Sequence, residues 1–273
     1  MTVDTAPRPT ATHPLPRQDI DTAVPGVVAG FFHQLRYDLK MQVRNPVAVC
    51  FTVVLPLAFL LMFTGLAGGD AADNAKRYVP ATMVIGLLSG TTTNLTITLA
   101  YLREYGMLRH VLVTPLPRLS YLGSRVAAAG VLAVVSTALI AVTGGALFGA
   151  WPRDAGPLLL ALVAGTLVGS AMGVALTALV RSEVAATPLA NAVTLPLLVL
   201  SGAFFSLDAA PSWVQQLARW LPAEPVVDVA AAAYADGPTA DAIVHLLVVT
   251  TIWLVVSVAV TRAWFTWTPR SRR

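Results

Sequence analysis

Residues 155–180 read AGPLLLALVAGTLVGSAMGVALTALV, a stretch without a single Asp, Glu, Lys or Arg. It is longer than the roughly 20 apolar residues an α-helix needs to cross a hydrocarbon core of about 30 Å. A helix is the conformation such a run adopts in lipid, because it satisfies its backbone N–H and C=O groups internally. On either side of it, five more uncharged runs cover 47–69, 78–102, 126–152, 184–207 and 242–261. None of them alternates polar and apolar positions as a membrane-spanning strand does. A soluble core can hide one such helix, but in a chain of 273 residues six leave too little sequence to cover them. Only 12% of the residues are charged, about half the fraction of an ordinary soluble domain. These features predict an all-α membrane protein with six transmembrane helices in a domain over residues 47–264.

The flanks are built differently. Residues 1–25 hold Pro7, Pro9, Pro14, Pro16 and Pro25 with little apolar content, the composition of a disordered tail, and lack the apolar core of a signal peptide. Over 26–46, Phe31, Phe32, Leu35, Leu39 and Val43 recur at helical spacing, with Arg36, Lys40 and Arg44 between them. That pattern predicts an amphipathic helix lying along the membrane surface, with Asn45-Pro46 turning the chain into the first span. Residues 265–273 form a basic tail. With an even number of spans both termini share a side, and 14 of the 18 basic residues then fall on that side, while 8 of the 14 acidic residues fall on the other. The excess of Lys and Arg assigns both termini to the cytoplasm of a multi-pass cell-membrane protein. The basic residues are dispersed, so the pI near 9.6 does not point to nucleic acid. Cys50 is the sole cysteine, which excludes an intrachain disulfide and a cysteine-rich metal site.

Catalytic signatures are missing. There is no GxxxxGK[ST] phosphate loop and no HExxH pair, and His13, His33, His110 and His245 are scattered. We expect no catalytic residue, no metal and no cofactor in this chain. No Asp or Glu lies deep in a run, which argues against a proton-coupled carrier. The second run is unusually polar: Ser89, Thr91, Thr92, Thr93, Asn94, Thr96 and Thr98 crowd together. On a regular helix Thr91, Asn94 and Thr98 share a face. With Asn191 and Thr194 of the fifth run, flanked by Pro188 and Pro196, they are candidates for a substrate path; interhelical hydrogen bonding accounts for the same pattern. Gly165, Gly169 and Gly173 repeat a GxxxG spacing in the fourth run, a groove for close helix packing. Between runs five and six, Trp213, Val214, Leu217, Trp220 and Leu221 predict a short outer-face helix between Pro211 and Pro222, and a second comes after it over 225–234.

The segment between runs two and three reads REYGMLRHVLVTPLPRLSYLGSR, 103–125. Residues 104–113 suit one short helix ended by Thr114-Pro115-Leu116-Pro117, with Met107, Leu108, Val111 and Leu112 as an apolar knob rimmed by Arg103, Arg109 and Arg118. Such a knob suits docking into a groove on a partner, with the arginines setting orientation.

These residues resemble the permease subunits of type-2 ABC exporters, in particular the actinobacterial drug-resistance permeases of daunorubicin type. The resemblance rests on Glu104, Gly106, Leu108, Leu112, Thr114, Pro115 and Arg118, on Ser201-Gly202-Ala203-Phe204-Phe205, and on Pro211-Ser212-Trp213. Before the last span the family often has Asn-Pro, where this chain has Leu221-Pro222. The resemblance implies that two permease subunits, identical or sister chains, pair and bind cytoplasmic ATPase subunits that carry the ATP and Mg. It implies a coupling helix built from Arg103, Glu104, Gly106, Met107, Leu108, Arg109, Leu112, Pro115 and Arg118. Beside it would lie an interface helix bearing Phe32, Leu35, Arg36, Leu39 and Lys40. The cargo would be a lipophilic small molecule such as an antibiotic. The rival within the class is a lipid or polysaccharide exporter. The rivals outside it are a stand-alone carrier and a membrane-embedded enzyme, and the enzyme would need clustered His, Asp or Glu at one depth.

Overall fold

The computed structural model describes residues 27–66, 68, 70–108, 118–204, 207 and 210–266, and among these the regular structure is entirely helical. α1 is Val27–Val43. α2 runs through Pro46–Val49, a π-helical turn Cys50–Val54, and Leu55–Leu66. α3 is the 34-residue helix Ala71–Glu104, with a second π turn at Ser89–Thr93. α4 is Arg118–Phe148, α5 Ala155–Leu179 and α6 Glu183–Val199. Two short helices come next, α7 at Ser212–Arg219 and α8 at Glu224–Ala232, and α9 at Ala240–Trp264 closes the chain. The starts of α3 and α9 carry side-chain caps: Asp70 accepts from the Ala72 N–H at 3.0 Å, and Thr239 from the Ala242 N–H at 3.2 Å.

Among the described residues, four helices are long and apolar enough to cross a bilayer: α3, α4 from Ser120 onward, α5 and α9. Thr52–Leu66 and Glu183–Val199 are apolar but shorter. Each expected run thus overlaps a helix, with shifted ends, and four of the six expected spans meet this length. α4 begins eight residues before the third uncharged run and takes in Arg125, which is buried. Asp38 pairs with that arginine, so the charge is not left uncompensated and does not end the helix.

α3 is the axis of the bundle. In its most apolar stretch 72% of residues are buried, against 22% in α9, which lies at the edge. From Val79 to Leu88 every residue of α3 is buried, packed among α2, α4, α5 and α8. α8 contributes Val226, Val229 and Ala230 to this core, and Tyr234 just beyond it places its hydroxyl 3.9 Å from the Met83 sulfur.

α3 and α5 run parallel and touch backbone to backbone. Thr92 Oγ1 donates to Gly169 O at 3.0 Å and Thr96 Oγ1 to Gly173 O at 3.1 Å. A Cβ on Gly169 would stand 2.3 Å from Thr91 Oγ1, and one on Gly173 2.9 Å from the carbonyls of Thr91 and Thr92. The GxxxG groove therefore holds the threonine stripe within the subunit. The π turns of α2 and α3 also face each other: Thr52 packs against Gly86 and Gly90, and Ser136 of α4 donates to the Thr52 carbonyl inside the widened turn.

Gly173→Ala should destabilise the protein by about 1–3 kcal/mol, because the methyl meets rigid carbonyls rather than a mobile side chain. Gly156→Ala, where a Cβ meets nothing within 4 Å, should be neutral or slightly stabilising. Thermal unfolding of the two variants in detergent micelles checks this.

Candidate coupling site

The helix connections bring one end of α3, α4, α5, α6 and α9 together, and with α1 that end carries Arg36, Lys40, Arg103, Arg125, Arg181 and Arg262. The 103–118 segment lies there. α3 ends at Glu104, and Gly106 adopts φ +72°, with its N–H bonded to Arg103 O at 3.1 Å. Glycine reaches this left-handed conformation without penalty and so terminates the helix. The expectation of one helix over 104–113 is corrected at its start: Glu104 belongs to the spanning helix, and the chain turns before Met107. Arg109, Leu112 and Pro115 lie outside the described residues; Arg118 opens α4.

Arg103 and Glu104 both point into the chain. Arg103 is fully buried and donates from Nη1 to Thr177 O at 2.8 Å and from Nη2 to Val180 O at 2.6 Å. A guanidinium there meets the orphan carbonyls and the negative dipole end of α5. The Glu104 carboxylate accepts from the Glu183 N–H at the first turn of α6, where the dipole favours a negative charge. Ser182 caps the same turn through the Ala185 N–H at 3.4 Å. Adjacent residues of α3 thus hold both ends of the short α5–α6 turn. Tyr105 is exposed, and the Glu183 carboxylate beside it holds its phenol above the usual range.

Arg103 is therefore not on the rim of an exposed knob. Leu108, expected in the knob itself, is fully buried with Leu99, Leu102 and Tyr121. Met107 is exposed at 44% and is the described apolar residue of the segment that faces outward. On α1, Phe32, Arg36 and Lys40 are exposed, and Leu35 and Leu39 half-buried. α1 meets α4 through Phe31, beside Gly123, and Asp38, against Ser124 and Arg125.

The polar stripe of α3 divides. Thr91 is fully buried against Gly169, with its hydroxyl bonded to Leu87 O at 2.7 Å. Asn94 and Thr98 turn elsewhere: Asn94 Nδ2 donates to Gln42 Oε1 of α1 at 3.1 Å, and Thr98 Oγ1 to Asn94 Oδ1 at 3.2 Å. The three do not share one face, because the π turn at Ser89–Thr93 widens the helix and rotates the residues beyond it. On α6, Thr194 is buried 3.2 Å from Thr93 Oγ1, while Asn191 is exposed.

Sequence reasoning overlooked Asp38, Ser124 and Arg125. Asp38 is buried, and burial raises its pKa; Arg125, Ser124 and Gln34 pull it back only in part. A lone acid inside an amphipathic stretch with three cations was the available signal.

The family model described as ABC-2 type transporter matches residues 30–234. A relative from Bacillus subtilis (strain 168), "Putative transport permease YvfS", is 23% identical over 206 residues, which is 68% of this chain and 77% of that protein.

Glu104→Leu should leave the Glu183 N–H unmet and speed amide exchange over 182–186 about tenfold, the loss of about 1–1.5 kcal/mol. Glu104→Gln, which keeps an acceptor, should exchange almost as slowly as the parent chain. Hydrogen–deuterium exchange of the purified protein reads both.

Proposed function

The chain belongs to the ABC-2 type transporter family, and from that premise we propose that it is the membrane subunit of an ATP-driven exporter. In this reading α2, α3, α4, α5, α6 and α9 are six spans, the two shorter ones included, within a domain of residues 47–264. Residues 1–25 and 265–273 are cytoplasmic tails, and the amphipathic helix over 26–46 lies at the inner interface. The positive-inside asymmetry supports this orientation. ATP and Mg bind in a separate cytoplasmic ATPase. A second permease subunit completes the assembly, and the cargo is a lipophilic small molecule of the kind moved by daunorubicin-type exporters.

The observation that carries the reading is the grip of Arg103 and Glu104 on the α5–α6 turn, directly before an exposed Met107. A push received beyond Gly106 reaches α3, α5 and α6 through hydrogen bonds rather than through a loose loop. Met107 is the docking residue in this scheme. Leu108 anchors the segment to the bundle. Asn94, Thr98, Asn191 and Thr194 remain candidates for lining the path; Thr91 is held in the α3–α5 seam.

A cross-linker placed by Met107→Cys, in a Cys50→Ser background, should capture a soluble protein with a GxxxxGK[ST] phosphate loop in intact cells. Cells expressing the parent chain and that partner should accumulate less daunorubicin than controls. Leu108→Asp should restore accumulation to the control level while the chain still inserts. Capture of no such ATPase, or transport by the purified chain alone in liposomes, would overturn the assignment.

A further inference from the structure

The surface by which α1 meets α4 is a poor apolar joint. Phe32, Tyr37, Met41 and Val43 are exposed, and Phe31 lies beside a glycine, Gly123. At its centre, however, sits Asp38, with no exposed surface and both carboxylate oxygens occupied. Oδ1 accepts from Gln34 Nε2 at 2.8 Å and pairs with Arg125 Nη2 at 3.2 Å. Oδ2 lies 3.0 Å from Ser124 Oγ, which is also 2.8 Å from Tyr121 O. Arg125 is itself 4% exposed. Its guanidinium carbon stands 5.5 Å from the Tyr121 ring centre, and Nη2 lies 3.3 Å from the Tyr121 hydroxyl. Tyr121 in turn packs in the cluster that holds Leu108. A continuous path of contacts thus runs from Leu108 through Tyr121 and Arg125 to Asp38 on α1.

Stability does not explain this pair. Taking both ions out of water costs several kcal/mol each, and well-packed apolar residues usually serve at least as well. What a buried pair with fixed hydrogen-bond partners supplies is register. Two arrangements of α1 on α4 cannot both satisfy it, so a shift at Tyr121 must carry α1 along or break it.

We propose that Asp38 and Arg125 are a positioning pair that locks α1 to the base of α4, so that movement at Met107 and Leu108 is passed to α1 and on to the start of α2. The inference rests on the exporter reading. It adds a second route for force, separate from the Arg103–Glu104 grip.

Cys50, exposed at the start of the α2 π turn, supplies a reporter where that movement would arrive. The permease is reconstituted in liposomes with its ATPase partner, and maleimide labelling of Cys50 is followed with and without ATP and vanadate. Nucleotide should alter the labelling rate of the parent chain. D38N should reduce that response about tenfold, within the usual span of coupling between sites. D38E, which keeps the charge, should retain most of it. D38N leaves a buried arginine unpaired and risks misfolding, so the deciding variant is D38L/R125M, which removes both charges. It should fold and keep its partner, yet still lack the response. A folded, partner-bound D38N or D38L/R125M that responds like the parent would overturn the proposal. A parent chain that neither retains an ATPase nor responds to nucleotide would overturn the exporter reading and this inference with it; the two failures are told apart by the chain in which they occur.

Discussion

Two hydroxyl-to-carbonyl hydrogen bonds, Thr92 to Gly169 and Thr96 to Gly173, set the geometry on which the rest of the bundle is built. Lipid supplies no hydrophobic force to press helices together, so close backbone approach and interhelical hydrogen bonds must hold them. Glycines four apart permit that approach, and the threonines use it. The bonded residues are separated by 77 positions in both pairs, and again where Arg103 meets Val180. Constant separation means that two parallel helices advance in step from the middle of α3 to its end. Arg103 consequently arrives level with the last carbonyls of α5, and Glu104 level with the first N–H of α6.

From this seam the basic end divides into two arms. One is α3 with α5 and the α5–α6 turn, tied by the Arg103 guanidinium and the Glu104 carboxylate. The other is α4 with α1, tied through Arg125 and Asp38. Leu108 and Tyr121 meet between them, one from each side of the 109–117 connection, in a cluster with Leu99 and Leu102. Leu108 and Tyr121 thus place the roots of both arms in one apolar cluster. In chemistry the arms differ. The first uses helix dipoles and caps, whose partners are backbone groups that cannot leave. The second uses side chain against side chain, and either partner can rotate away.

Much of the fold was legible because lipid imposes simple rules. Uncharged runs gave the helices, and Pro211 and Pro222 bracketed α7, which the structure places at Ser212–Arg219. Glycine spacing identified the groove of α5, though not its occupant. The π turn at Ser89–Thr93 was invisible, since it is a change in hydrogen-bond register rather than in composition, and it rotated Asn94 and Thr98 away from Thr91. Gly106 did carry a readable stop signal: a glycine just past Arg103 and Glu104 is the usual end of a helix, and it divides the span from the connection to α4. Leu108 and Arg103 looked like surface because hydropathy and charge do not reveal which side of a connection faces home. Asp38 was overlooked for the same reason, since its partner lies 87 positions away on α4.

The distribution of polar contacts also says where the bundle can yield. α3 is bonded to α5 through hydroxyls, to α6 through Thr93 and to α1 through Asn94, and its core stretch is buried on all sides. Separating it from α5 would give up the interhelical hydrogen bonds, about 0.6–2 kcal/mol each, together with the close backbone contact at Gly169 and Gly173. The Leu55–Leu66 part of α2 is held almost wholly by side-chain packing, with Phe59 and Phe63 against Phe204 and Phe63 stacked on Tyr78. Aromatic contacts of that kind are non-directional enough to slide without leaving a buried group unsatisfied. α2 is also entered through a π turn, at the point where α1 ends and Thr52 sits against Gly86 and Gly90. Under the proposed coupling, motion delivered at the basic end would therefore meet least resistance in α2, with the α3–α5 seam as the frame against which it moves.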